Sequence, residues 1–194
     1  TARNVPVSND SNGQTALLWA GIDSNKHPPE WILVGIEHGD TTHALYGAAV
    51  DMGTTTVVAQ LVDLKTAEPV ATVSAANPQA QYGTDVLSRI AFAETDTGRQ
   101  ALHQIIIDGI DELLVAAAQK AGIPLEYIYE IVIVGNTTMN HLLLEYPTRQ
   151  LGQAPYTAHS VQPTRQKADK LPLRMNPLGA AYTAPNIAGF VGSD

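Results

Sequence analysis

Cysteine is absent from the 194 residues. No disulfide, thiolate zinc site, cysteine nucleophile or cysteine-bound iron–sulfur cluster can therefore be built from this chain alone. Basic residues are scarce: 11 Lys and Arg stand against 19 Asp and Glu, a net charge of −8. A duplex binder needs a basic face to displace counterions from phosphates. The cations here are scattered, with a loose cluster only around Arg165 to Lys170, so nucleic acid is not an expected partner. No apolar run approaches the roughly 18 residues of a membrane span. Thr1 is not followed by a charged-then-apolar leader, which reads as a piece of a soluble, cytoplasmic protein with no membrane partner. There is no GxxxxGK[ST] phosphate loop and no GxSxG nucleophile elbow. What the chain does have is 44% hydrophobic residues, enough for a core in one domain, or one domain plus an appendage.

Composition divides the sequence into three stretches. Residues 1 to about 45, rich in Asn, Ser, Pro and His, read as an appendage. Within them the apolar runs Thr15–Ala20 and Trp31–Ile36 flank a turn-rich 23–29 segment and predict a hairpin. The six histidines are dispersed; His38 and His43, with Asp40 between them, lack regular ligand spacing and read as a solvated loop.

The middle stretch, 46 to about 146, changes periodicity in a recognisable order. Tyr46–Asp51, Thr55–Leu64 and Glu68–Ala75 predict three consecutive strands. Helical spacing follows, with Val86, Leu87 and Ile90 on one face, then Leu102, Ile106, Ile110, Leu113 and Ala117, ended by Gly122 and Pro124. Ile131–Val134 is a continuous apolar run, as expected of a strand covered on both faces, and a further helical segment surrounds His141–Leu144. The order βββα(α)βα is that of an α/β, ribonuclease-H-like domain, a mixed sheet with flanking helices. The last stretch, 147 to 194, holds half of the 12 prolines and little periodicity before Gly179.

Two loops carry the strongest chemical signal. Asp51-Met52-Gly53-Thr54-Thr55-Thr56 lies between the first two strands. Gly53 permits close backbone approach to a ligand, successive amides can point at phosphate oxygens, and threonine hydroxyls add donors. Asp51, at the carboxyl end of a strand, can hold a hydrated Mg²⁺ or orient a water. The same pattern also suits a polar hairpin turn. Gly135-Asn136-Thr137-Thr138 lies where an inner strand gives way to a helix, a place for an anion, although Asn136 or Thr137 serves equally as a plain N-cap. In a ribonuclease-H-like sheet the first and fourth strands are neighbours, so both loops open on one cleft. A third turn, Gly189-Phe190-Val191-Gly192-Ser193-Asp194, is glycine-rich and acid-containing.

Tyr46 to Thr56 resembles the first phosphate motif of the superfamily of acetate and sugar kinases, heat-shock chaperones and actin. Further stretches narrow the resemblance: Gly39-Asp40-Thr41-Thr42; Asn77-Pro78-Gln79 with Tyr82 to Ile90; Val134 to His141; and Pro185 to Gly192. Together, in this order, they are similar to the reductive activators of corrinoid proteins. Met52 stands where relatives often have Ile. The resemblance implies an ATP-dependent electron-transfer protein that reduces cob(II)alamin to cob(I)alamin in the corrinoid protein of a methyltransferase system. It further implies an iron–sulfur cluster in an upstream domain, and ATP and Mg²⁺ as cofactors here. Asp51 would be the catalytic and Mg²⁺-holding residue. Gly53, Thr54, Thr55 and Thr56 would form the first phosphate loop, Gly135, Asn136, Thr137 and Thr138 would line the cleft, and Gly189, Gly192, Ser193 and Asp194 would begin the second phosphate loop. Residues 1–45 would close a preceding middle domain or linker, with 46–194 the first lobe of the ATPase domain. The corrinoid protein is the expected partner, and a homodimer a further expectation. The first loop alone is also compatible with the first lobe of a sugar or acyl kinase, and the whole with a non-catalytic dimerisation or docking lobe.

Overall fold

The structure, a computed structural model, describes residues 2–6, 13–20, 31–189 and 191–193. The amino-terminal part is a small antiparallel sheet of β1 (Ala2–Pro6), β2 (Gln14–Ala20) and β3 (Trp31–His38) in that order. β2 and β3 pair antiparallel as the strands of the expected hairpin, whose 23–29 turn lies outside the described residues, and β1 adds a strand that the sequence did not suggest.

The main sheet is built from β4 (Tyr46–Met52), β5 (Thr56–Asp63), β6 (Pro69–Ala76), β7 (Ile128–Gly135), β8 (Thr164–Lys167) and β9 (Ala180–Thr183). Its order is β6-β5-β4-β7-β9-β8. β4, β5 and β6 form an antiparallel meander, whereas β7 runs parallel to β4, β9 parallel to β7, and β8 antiparallel at the edge. This is the mixed α/β arrangement read from the sequence, with the first and fourth strands of the domain adjacent.

Alternation along β4 and β5 directs Ala48, Val50, Met52, Val57, Ala59 and Leu61 into the core. The long helix α2 (Asp96–Ala121) covers that face with Leu102, Ile106, Ile107, Ile110, Leu113, Leu114 and Ala117. Thr95 caps its start by accepting from the Gly98 amide, and Gly122 ends it at φ 68°, the left-handed conformation that glycine adopts at low cost. The shorter α1 (Val86–Phe92) begins in a capping box made by Asp85 and Ser88. Its orientation departs from expectation: Leu87 is 61% exposed, and the residue buried beside Ile90 is Arg89. The third helix, α3 (Thr137–Leu143), starts four residues earlier than the apolar spacing around His141 indicated.

The small sheet is docked rather than trailing. Leu17 packs with Leu45, Tyr129 and Ala180. The Glu37 carboxylate accepts from Thr41 Oγ1 at 2.6 Å, Tyr129 Oη at 2.8 Å and Asn176 Nδ2 at 2.8 Å. One acid thus ties β3 to the start of β7 and to the segment before β9. Among the described residues no helix is long and apolar enough to cross a membrane.

Candidate functional site

β4 and β7 end side by side, Met52 opposite Gly135, so the chain leaves both strands at the same sheet edge. Parallel neighbours therefore bring Gly53–Thr56 and Gly135–Thr138 together, as the strand order requires. Asn136 makes the connection explicit. Its Oδ1 accepts from the Met139 amide at 3.0 Å as the N-cap of α3, and its Nδ2 donates to Thr54 Oγ1 at 3.0 Å. Asn136 is thus the N-cap that the sequence allowed, and the same side chain also joins the two loops.

The first loop has a defined polarity. Gly53 O accepts from Asn77 Nδ2 at 2.8 Å, Thr54 O from Arg89 Nη2 at 2.7 Å and Thr55 O from the Asn77 amide at 2.8 Å. Three successive carbonyls are thus anchored to the protein. In a planar trans peptide the following N–H points the opposite way. The Thr54 and Thr55 N–H groups consequently face away from these anchors, and they have no hydrogen-bond partner among the described residues. Such outward-facing successive amides make an anion-binding concavity. A Cβ on Gly53 would lie 2.7 Å from Thr56 O, so glycine is needed for the turn to close. Thr55 and Thr56 are exposed, Thr54 half-buried.

The second loop is more enclosed. Gly135, Thr137 and Thr138 are buried. Thr137 Oγ1 donates to Ala188 O at 2.5 Å, so that hydroxyl tethers the third loop and is not turned to the cleft. Thr138 Oγ1 is buried with no hydrogen-bond partner among the described residues. With only seven residues in α3, little helix dipole reaches this end, and the loop's donors have to come from its individual amides.

The third loop closes onto the second. Ser193 N donates to Gly135 O at 3.1 Å, and Gly135 N donates to Ser193 Oγ at 3.3 Å. Gly192 lies against the Gly135 carbonyl, and a Cβ there would stand 2.5 Å from Asn136 Cα. Gly189 is pressed in the same way on the Tyr156 carbonyl. Asn140, fully buried, joins the group by donating to Gly135 O at 3.0 Å and Asn186 Oδ1 at 2.7 Å. Asp194 lies outside the described residues.

Asp51 is exposed on the sheet face opposite α2, two residues before Gly53. It borders a shallow depression of about 240 Å³ with Ala49, Val58, Gln60, Val132 and Val134. Among the described residues no three His, Asp or Glu side chains converge on one point. A Mg²⁺ at Asp51 would accordingly be held through one carboxylate, its waters and ligand phosphates, the usual mode for that ion. Another concavity, about 440 Å³ between β6 and α2, is mostly apolar and contains none of these loop residues.

The residues that sequence reasoning did not single out are Asn77, Arg89 and Asn140, which hold the loops from behind. All three lie within recognised motif stretches, but only their positions in space show what they bond.

The family described as RACo middle region matches residues 46–194. The corrinoid activation enzyme RamQ of Eubacterium limosum is 37% identical over 153 residues, covering 77% of this chain and 26% of that protein. The [Co(II) methylated amine-specific corrinoid protein] reductase of Methanosarcina barkeri is 30% identical over 110 residues, covering 57% of this chain and 19% of that protein. A solved structure of a reductive activator for corrinoid, iron–sulfur protein is similar at a TM-score of 0.84 and 33% identity, over 93% of this chain and 28% of that one. The chain thus spans roughly a fifth to just over a quarter of the length of these proteins.

Proposed function

The chain belongs to the RACo family of reductive activators of corrinoid proteins, and on that premise we propose that it supplies part of the nucleotide cleft of an ATP-dependent activator. The complete protein, in this reading, returns the cob(II)alamin of a methyltransferase-system corrinoid protein to cob(I)alamin. Electrons come from an iron–sulfur domain upstream of these residues. Residues 46–194 are the first lobe of the nucleotide-binding unit, and residues 1–45 end the unit before it.

One observation carries this reading: three glycine-containing loops, from positions 53, 135 and 192, meet at one edge of the sheet, and the first has its carbonyls anchored and its amides turned outward. Outward amides suit phosphate oxygens. Bound Mg²⁺ neutralises charge on those oxygens. Asp51 would hold that ion, and Asn136 fixes the distance between the first two loops. The hydroxyls of Thr55 and Thr56, exposed beside the amides, add donors. Nucleotide binding drives the uphill reduction by favouring one conformation of the complex with the corrinoid protein, which requires different affinities for the two conformations.

The test is Asp51→Ala in the complete protein. ATP-dependent reduction of the corrinoid partner, followed by the visible absorption of the cobalt states, should be lost; reduction at the parental rate would overturn the assignment. Calorimetric titration of MgATP into the 194-residue chain should show only weak binding without turnover, because a second lobe is needed to cover the nucleotide. Submillimolar affinity accompanied by phosphate release would overturn that requirement.

A further inference from the structure

We propose that Arg89 is a positioning residue for the phosphate groups of the nucleotide, acting through the Thr54–Thr55 peptide; this rests on the nucleotide-binding reading given above. Arg89 is fully buried and is the one Asp, Glu, Lys or Arg side chain buried among the described residues. Its guanidinium donates from Nε to Gly83 O at 2.9 Å, from Nη1 to Gln79 Oε1 at 3.3 Å and Met139 Sδ at 3.2 Å, and from Nη2 to Thr54 O at 2.7 Å. Every one of these acceptors is neutral. Asp85, which caps α1, is the acid that favours its charge from nearby, but it forms no ion pair with it among the described residues.

Burying a guanidinium without a bonded carboxylate is costly. A neutral amide would suffice to hold a carbonyl, as Asn77 does at Gly53 in the same loop. The charge therefore has a use that the hydrogen bonds alone do not explain. Arg cannot shed its proton in a protein, so positive charge sits permanently behind the loop. The carbonyl it bonds belongs to the same peptide unit as the outward Thr55 N–H. A cation on the oxygen polarises that unit and strengthens the N–H as a donor toward an anion on the other side. Met139, which accepts from both Arg89 and Asn77, belongs to the first turn of α3. The same guanidinium thereby also sets the first loop against the second.

The experiment uses the complete protein and measures binding of MgATP, pyrophosphate and adenosine by competition, alongside thermal unfolding. Arg89→Met should weaken MgATP and pyrophosphate by tenfold or more and leave adenosine within twofold. Arg89→Lys keeps the charge but cannot span all four acceptors, and should fall between Met and the parent. If Arg89→Met fails to fold, the Lys variant decides: triphosphate affinity at least threefold weaker with adenosine unchanged supports the proposal. MgATP affinity within twofold of the parent in a folded variant, or equal weakening of adenosine and triphosphate, overturns it. A parent protein that binds no MgATP would instead overturn the nucleotide-binding reading on which the proposal rests.

Discussion

Asn136 allows the cleft to be dissected one bond at a time. Its side chain does two things: Oδ1 caps α3 through the Met139 amide, and Nδ2 joins the second loop to Thr54 Oγ1. Losing an N-cap costs about 1 kcal/mol, and losing a neutral hydrogen bond about another 1 kcal/mol. Asn136→Ala should therefore destabilise the protein by about 2 kcal/mol, which in denaturant unfolding appears as a lowered midpoint at unchanged slope. Thr54→Val removes only the bond between the loops and should cost about 1 kcal/mol. Asn136→Asp keeps the capping oxygen but loses the donor and adds a negative charge, so its stability should match Thr54→Val while its MgATP affinity in the complete protein falls well below it. In a double-mutant cycle, Asn136→Ala and Thr54→Val should show a coupling of about 1 kcal/mol. Strict additivity, or an Asp variant as unstable as the Ala variant, would refute the division of labour between the two atoms.

Three further outcomes are expected. Gly192→Ala forces a Cβ to within 2.5 Å of Asn136 Cα, so the third loop must retreat and lose the Ser193–Gly135 bonds; nucleotide affinity should drop with little change in the unfolding temperature, and parental affinity would contradict the packing. His141 is fully buried, its Nδ1 against Thr137 O at 2.7 Å and its Nε2 accepting from the His159 amide at 3.0 Å. Burial, reinforced by neighbouring His159, holds its pKa below the ordinary 6.5. The unfolded chain then takes up a proton that the folded one does not, so this contribution is full above pH about 6.5 and is lost as pH falls below it; a melting temperature that is flat between pH 7 and 5, or that declines equally in His141→Gln, would contradict this. Glu37→Ala deprives Thr41, Tyr129 and Asn176 of a charged acceptor; a loss of about 2 kcal/mol and earlier proteolysis within the amino-terminal sheet are expected, and unchanged protease resistance would show that this acid does not dock the sheet.

Periodicity made the middle of the chain legible because its core is regular. Val57, Ala59 and Leu61 alternate on β5, and Leu102, Ile106, Ile110 and Leu113 keep helical steps on α2. From that order the adjacency of β4 and β7, and hence the meeting of the first two loops, followed. The carboxyl-terminal strands were not legible for a physical reason. β8, Thr-Arg-Gln-Lys, is an edge strand held by its backbone ladder to β9, and it offers no apolar alternation to read. Arg89 was hidden by a different cause. Its partners are the carbonyls of Gly83 and Thr54, with Gln79 and Met139, and main-chain carbonyls leave no mark in sequence pattern. Its burial also turned α1 so that Leu87, expected inside, faces solvent. Thr137 shows the limit of a motif: in the expected stretch, yet with its hydroxyl committed to Ala188.

The anchored carbonyls of Gly53, Thr54 and Thr55 bear on timing as well as on binding. A loop already fixed in its receiving shape loses little conformational entropy when a ligand arrives, and no slow rearrangement of the loop has to precede contact. Movement that accompanies a nucleotide cycle would accordingly be concentrated away from this turn, in the parts that close over the ligand. In the proposed reading this lobe would be the stationary jaw, and what moves against it would set the clock of the cycle.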